Sequence, residues 1–293
     1  MKAFQGLLII DKPGGMTSHD VVNRIRQVTK TRRVGHAGTL DPLATGVLLV
    51  CVGRATRLVE YLVGQTKSYI TTVQLGQATN TYDIDGEVVA ERPFAHITLA
   101  HINQALEQFR GTISQKPPIY SAIKKDGQPL YKLARRGEAV DVPLREVTIY
   151  NLSLLSVKLP KVELAISCSS GTYIRSLAHD LGAALGCGGH VTALRRTAVG
   201  EFTVDQAIEL NSLTRDNVED YLQPMATAVT HLPRLHLNAD EVKDVENGRF
   251  IPRLISHPQA ELVQMYGQDG RFVGIARANE GRWQPHKIFP MGE

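Results

Sequence analysis

Strand-like segments, each cut short by a turn signal, recur along almost the whole chain and leave room for only a few helices. Gly6–Ile10 is an apolar run that stops at Asp11-Lys12-Pro13-Gly14-Gly15. Val47–Val52 is a second such run, and Lys67–Leu75 alternates through Tyr69, Thr71, Val73 and Leu75 with the period of a half-buried strand. Further strands are predicted at Glu87–Ala90, behind the Asp85-Gly86 turn, and over 147–154 and 162–168. Helices are predicted where apolar residues return every three or four positions. One follows a Thr17 or Ser18 cap with Val21, Val22, Ile25 and Val28 on one face. A second follows Thr98 with Ile102, Ala105, Leu106 and Phe109 and is ended by Gly111. A third spans 172–185, and short helical pieces fall at 56–63 and 205–222. Residues 34–46 have neither period and read as a loop. The fold class this predicts is α+β: a mixed, largely antiparallel sheet with flanking helices.

From about Leu232 the punctuation tightens. A helix over 239–246 ends at Asn247-Gly248, and strands over 261–266, 271–276 and 283–289 are divided by Asp269-Gly270 and Glu280-Gly281. A small β-domain over 232–293 behind a larger domain over 1–231 is the expected organisation, and 293 residues suffice for both. With 43% hydrophobic and 21% charged residues, the chain has the composition of a folded protein and not of a disordered one. Its longest apolar runs fall far short of the roughly 20 residues of a membrane span. Asp11 interrupts the N-terminal run too early for a signal peptide. Three cysteines (Cys51, Cys168, Cys187), an odd number without a CxxC pair, argue against a disulfide framework or a zinc ribbon. Cys187 and His190 form a lone CxxH pair with no second pair at zinc spacing. A cytoplasmic protein without membrane or metal is expected.

The net charge of +4 is mild but uneven: residues 1–60 hold nine Lys/Arg against four Asp/Glu. Arg24, Arg26, Lys30, Arg32 and Arg33 fall within ten residues that contain no acid. A second basic stretch, the expected arm over 116–145, is rich in Pro and Tyr and reads as an extended segment with one short helix. Between 116 and 136 it has six Lys/Arg against Asp126 alone. Charge runs are usually solvated faces. Two of them in one chain, each adjoining a candidate site segment, favour a polyanionic partner.

That loop, from Gly35 to Gly46, joins the basic helix to a buried strand and contains His36 and Asp41-Pro42. Proline biases Asp41 towards an extended conformation and so directs its carboxylate. An Asp-Pro pair alone is most often a turn making local hydrogen bonds. His36, the basic helix and the second Gly-rich turn at 12–15 make a reactive carboxylate the better reading.

Lys12-Pro13-Gly14-Gly15-Met16-Thr17-Ser18 followed by Gly35–Gly46 resembles the paired signatures of the TruB family of tRNA pseudouridine synthases. The resemblance continues through Thr79-Asn80-Thr81-Tyr82-Asp83, Pro117–Ala122, Gly171–Leu177 and Leu194-Arg195-Arg196, and the C-terminal residues resemble a PUA-type RNA-binding domain. It implies the pseudouridine synthase fold with a small β-barrel-like C-terminal domain. It also implies conversion of uridine to pseudouridine at position 55 in the T-arm of tRNA, without cofactor or metal and without an obligate protein partner. By resemblance Asp41 is the nucleophile, Tyr69 stacks on a flipped base, Tyr173 lines the site and Arg175 pairs with the catalytic carboxylate. His36 is implied to contact the RNA, and the backbone at Leu194 to meet the base edge. The arm resembles the insertion with which bacterial members grip the T-loop, through Lys124, Lys125, Lys132, Arg135 and Arg136. Asp83 belongs to a family motif, although a turn carboxylate before Asp85-Gly86 explains it about as well.

The residues themselves suit that chemistry. A carboxylate can form a covalent intermediate, and a base inside a folded loop must leave its stack to be reached. A pairing arginine favours the ionised carboxylate where desolvation alone would raise its pKa. Three competing functions remain: a guide-RNA-dependent relative, a non-catalytic tRNA-binding or tRNA-folding protein, and an aspartate-dependent glycosidase. The last normally needs two carboxylates across the bond.

Overall fold

The computed structural model describes residues 4–121, 124, 125, 128, 129, 136 and 142–290. In chain order the first half contains β1 (Gly6–Lys12), α1 (Ser18–Thr29), β2 (Val34–Ala37), β3 (Thr45–Val52), α2 (Val59–Val63) and β4 (Lys67–Leu75). Then come β5 (Gln77–Thr79), β6 (Val88–Glu91), α3 (Leu99–Glu107), β7 (Gly111–Gln115) and the two-residue strands β8 (Lys124–Lys125) and β9 (Gln128–Pro129). The second half continues with β10 (Arg145–Lys158), β11 (Lys161–Cys168), α4 (Ile174–Ala184), β12 (Gly189–Val199), β13 (Phe202–Thr203), β14 (Ile208–Glu209) and α5 (Val218–Tyr221).

The main sheet runs β14-β1-β3-β12-β4-β11-β10-β7, with β2 added to β3 and β13 to β12. Only the β1–β14 and β3–β12 pairs are parallel. The α+β reading holds, and the antiparallel character with it. Strands β1 and β3 read as unbroken apolar runs because both of their faces are covered. Leu8, Ile10, Leu48 and Val50 point into a core with Val21, Val22 and Ile25 of α1 and Leu177 and Leu181 of α4. The alternate residues Leu7, Ile9, Leu49 and Cys51 pack on the other face against Leu58 and Leu62. β4 keeps one buried side, so its burial alternates without a break from Lys67 to Leu75.

Two expectations are corrected, and one strand is added that no local pattern predicts. Residues 34–37 are not loop: β2 pairs antiparallel with β3, from Val34 opposite Val52 to Ala37 opposite Leu49. The helix after Thr98 ends at Glu107, and Gly111 instead opens β7, where its φ of 73° suits glycine. The added strand is β12, which lies between β3 and β4 near the middle of the sheet. Its consecutive Arg195 and Arg196 and its opening Gly189 give it neither an apolar run nor a clean alternation.

A second sheet of five strands follows, ordered β15 (Arg234–Leu237), β17 (Leu262–Gly267), β18 (Phe272–Asn279), β19 (Arg282–Ile288) and β16 (Ile251–Pro252). With α6 (Ala239–Glu246) it encloses its own core around Trp283, Met265, Val263 and Leu237. It also leans on the main sheet. Ile275 and Phe289 join the cluster of Leu7, Leu49, Leu58 and Leu62, Arg57 Nη1 donates to Ile288 O at 2.6 Å, and Lys287 pairs with Glu60 at 2.9 Å.

Candidate active site

The segment carrying Asp41 is held from three sides by groups that leave its carboxylate outward. Ser18, the first residue of α1, both accepts from Leu40 N at 2.8 Å and donates to Leu40 O at 3.1 Å. Lys12, fully buried at the end of β1, donates to Pro13 O, Met16 O and Pro42 O at 2.8, 2.7 and 3.3 Å, and so ties the 12–16 turn to the segment after Asp41. Burial pushes the Lys12 ammonium down to about 8 against the pull of Asp41. From β12, the buried Arg196 donates to Val47 O at 2.7 Å and Gly38 O at 3.1 Å. Gly46 closes the segment at φ 99°, with an added Cβ only 2.1 Å from Arg196 O, so no side chain fits there.

Arg175, on the first turn of α4, faces this carboxylate. Its Nη2 donates to Asp41 Oδ1 at 3.0 Å while Nε lies 2.9 Å from Oδ2 in a side-on ion pair, without forming a second hydrogen bond. Both η nitrogens make two hydrogen bonds each. Nη1 donates to Asp83 Oδ2 and to Thr81 O, both at 3.1 Å, and Nη2 donates to Tyr120 O at 3.0 Å. Arg175 is 4% exposed, whereas the Asp41 side chain keeps a third of its surface open. Burial raises the Asp41 pKa, the Arg175 guanidinium opposes that rise, and the nearby Asp83 adds to it.

Asp83 therefore does more than close a turn. It accepts from Thr81 Oγ1 at 2.5 Å and Asp85 N at 3.2 Å while its other oxygen takes Arg175. No periodicity marks it as buried; its place in a recognised motif was the available signal.

Tyr69 projects from β4 directly opposite Arg196 of β12 and is 8% exposed. Burial raises its phenol pKa, and the positive charge of Arg196 opposes the rise. Leu194, two residues before, sits opposite Thr71 with its side chain buried in the main core. Tyr173 is the N-cap of α4; its backbone N–H donates to Gln115 Oε1 at 2.8 Å and its carbonyl accepts from Gln115 Nε2 at 3.0 Å. Burial raises its phenol pKa too. His36 lies on β2, half-buried, with Nδ1 buried and unpartnered among the described residues. Burial, then Arg196 and His19, lower its pKa. The structure thus brings Asp41, Asp83, Tyr120 and Arg175 into one hydrogen-bonded group, and Tyr69 and Arg196 face each other across β4 and β12.

Of the basic arm, Lys124 and Lys125 form β8 and pair with β9. Arg136 is exposed and donates to Gln128 Oε1 at 2.7 Å. Lys132, Arg135 and the helix expected in this stretch lie outside the described residues. Buried cations were the feature sequence reasoning passed over. Lys12, Lys67 and Arg196 are all buried around the Asp41 segment, and only their context in the fold distinguishes them from surface charge.

This mixed sheet, with its covering helices and appended five-stranded sheet, is the pseudouridine synthase fold. The chain superimposes on the solved structure of an H/ACA RNP bound to a substrate RNA containing 2′-deoxyuridine with a TM-score of 0.74 at 27% identity, covering 97% of this chain and 85% of that one. A family model for the N-terminal domain of TruB family pseudouridylate synthases matches residues 26–174. Models for the tRNA pseudouridylate synthase B C-terminal domain and for the C-terminal part of pseudouridine synthase II TruB match 175–230 and 233–289. The tRNA pseudouridine synthase B of Pseudomonas aeruginosa is 43% identical over 98% of this chain and 97% of its own. That of Thermobifida fusca is 46% identical over 97% and 98%. The chain belongs to the TruB family of pseudouridylate synthases.

Proposed function

We propose that this protein isomerises uridine to pseudouridine in tRNA, at position 55 of the T-arm, with Asp41 as the nucleophile. The observation that carries this reading is the Arg175–Asp41 pair: a carboxylate gripped from one side by a buried guanidinium and open on the other. The reaction breaks the bond from N1 to ribose C1′ and makes one from C5 to C1′. C5 loses a proton and N1 gains one. Atoms and electrons balance within the substrate, so the isomerisation consumes no oxidant, reductant or second substrate.

Each residue has a part in this proposal. Asp41 attacks the nucleotide, forming a bond that breaks again before the product leaves and so returns the carboxylate, and Arg175 keeps it ionised despite burial and fixes its direction. Asp83, with the carbonyls of Thr81 and Tyr120, holds Arg175. Tyr69 stacks on the flipped base, a contribution of about 1–3 kcal/mol for base–aromatic contact. Tyr173 and Leu194 wall the base, and His36 meets the RNA beside it. The exposed cations Arg24, Arg32 and Arg33 around α1 supply phosphate contacts. Lys124, Lys125, Lys132, Arg135 and Arg136 of the arm supply the rest. The division of labour is chemistry in 1–231 and additional RNA grip in 232–293, in the cytoplasm, with no obligate protein partner.

The test is tritium release from C5-labelled uridine in an unmodified tRNA transcript, with purified protein and no guide RNA. One equivalent released per tRNA, abolished in Asp41→Asn with tRNA affinity retained, is expected. Binding without release would leave a tRNA-binding protein, and release only with an added guide RNA would make it a guide-dependent enzyme. Free uracil in the supernatant would make it a glycosidase.

A further inference from the structure

The segment that aims Asp83 at Arg175 contains a residue in an unusual conformation. Tyr82 has φ 66°, in the left-handed region that a bulky side chain rarely enters. On either side of it, Thr81 O and Asp83 Oδ2 converge on the same nitrogen of Arg175 at 3.1 Å each. The unusual turn at Tyr82 lets a backbone carbonyl and the next carboxylate face one guanidinium. Its backbone is pinned to β12, with Tyr82 O accepting from Val191 N at 3.0 Å and Ile84 N donating to Val191 O at 2.9 Å.

The Tyr82 ring does not trail into solvent. It stacks on His179 with centroids 3.9 Å apart and planes 15° from parallel. His179 stands four residues after Arg175 on α4, hence on the same face of the helix one turn along. The helix therefore grips the 79–86 segment twice. A guanidinium takes its polar groups, and an imidazole covers its strained residue. The imidazole Nδ1 is buried without a partner among the described residues, so the ring acts through its face and not through that nitrogen.

We infer that the Tyr82–His179 stack is a positioning device for the reaction: it holds the left-handed turn that keeps Asp83 and Thr81 on Arg175, and through Arg175 sets the Asp41 carboxylate. Neither ring touches the nucleotide in this proposal, which rests on the function proposed above. Removing either ring slows the chemical step and leaves tRNA affinity alone. Aromatic pairs are worth about 0.5–1.5 kcal/mol, which is a factor of about 2 to 12 in rate if the whole contribution reaches the transition state.

The experiment compares single-turnover rate at saturating tRNA, tRNA Kd and Tm for wild type, Tyr82→Phe, Tyr82→Ala, Tyr82→Gly, His179→Phe and His179→Ala. The Phe variants keep a stack and are expected within twofold of wild type in rate. Both Ala variants are expected to lose about 2- to 12-fold in rate with Kd within twofold, and the Tyr82→Ala/His179→Ala pair no more than the worse single, because both delete one interaction. Tyr82→Gly accepts the left-handed backbone without strain, so it keeps the inference testable if an Ala variant fails to fold. It too is expected to be slow. Wild-type rates in the Gly and Ala variants, Phe variants as slow as Ala, or a loss in Kd without a loss in rate would each overturn the inference. Wild type itself failing to isomerise tRNA would instead overturn the function on which it rests.

Discussion

At the scale of single residues, the buried cation facing Asp41 is the main influence of the protein on that carboxylate's charge and direction. Burial lifts the Asp41 pKa and Arg175 restrains it. A reaction that needs the carboxylate form slows as pH falls through that pKa. Replacing Arg175 with Gln removes the charge that favours the ionised form, so the acid limb of the single-turnover pH–rate profile moves to higher pH and the plateau falls. An unshifted limb would show that a different group titrates. Arg175→Lys keeps the charge but not the side-on pair, and is expected to lose rate without recovering the profile. Tyr69→Leu should weaken capture of the flipped base by about 1–3 kcal/mol. Tyr69→Phe keeps the stacking face, so a rate lost there belongs to the hydroxyl. Equal, wild-type turnover in both would remove Tyr69 from the site.

At the scale of elements, the segment from Gly38 to Gly46 is shaped by its neighbours more than by itself. Gly46 is wedged against the backbone of Arg196 with φ 99°. Gly46→Ala forces β3 and β12 apart where they pair in parallel at Thr45–Arg195 and Gly46–Arg196. A loss of at least about 1–3 kcal/mol is expected for such strain, read as a lowered midpoint in chemical denaturation. Gly15→Ala, at φ 78° with open space around its Cβ position, meets only the backbone penalty and should lose less. The arm makes a separate prediction. If Lys124 and Lys125 contact phosphates, charge reversal at both should lower the log–log salt slope of tRNA binding by about 0.7–0.9 per lost contact. Single-turnover rate at saturating RNA should change little. Unchanged affinity and slope would leave these lysines as solvated charges.

At the scale of the whole molecule, the C-terminal sheet is packed against the main one through apolar contact. Deleting 232–293 removes Ile275 and Phe289 from the cluster they share with Leu58 and Leu62, together with the Lys287–Glu60 pair. Burial of each such side chain stabilises by about 1.5–3 kcal/mol. The truncated chain should therefore melt well below the intact protein as well as bind tRNA more weakly. Its single-turnover chemistry at saturating tRNA should survive wherever it stays folded. A truncation with wild-type Tm would show that the shared cluster contributes little.

Much of this molecule is legible in the chain because local patterns are direct consequences of burial. β1 and β3 are covered on both faces and so are apolar throughout; β4 is covered on one and so alternates; α1 and α4 show the stripe that faces the core. The Asp41 segment could be singled out because the glycines and proline between 38 and 46 suit neither strand nor helix. β12 stayed hidden because Arg196 is buried there, its guanidinium satisfied by the carbonyls of Gly38 and Val47. Asp83 could be assigned to the site only once Arg175 had been brought to it from 92 residues away. The apolar pattern by itself determined the fold class and the principal strands and helices, and the glycines and proline between them marked the segment that carries Asp41. Only the tertiary structure decided which charges are buried and what they grip, because a buried charge is stabilised by partners distant in sequence and leaves no local period.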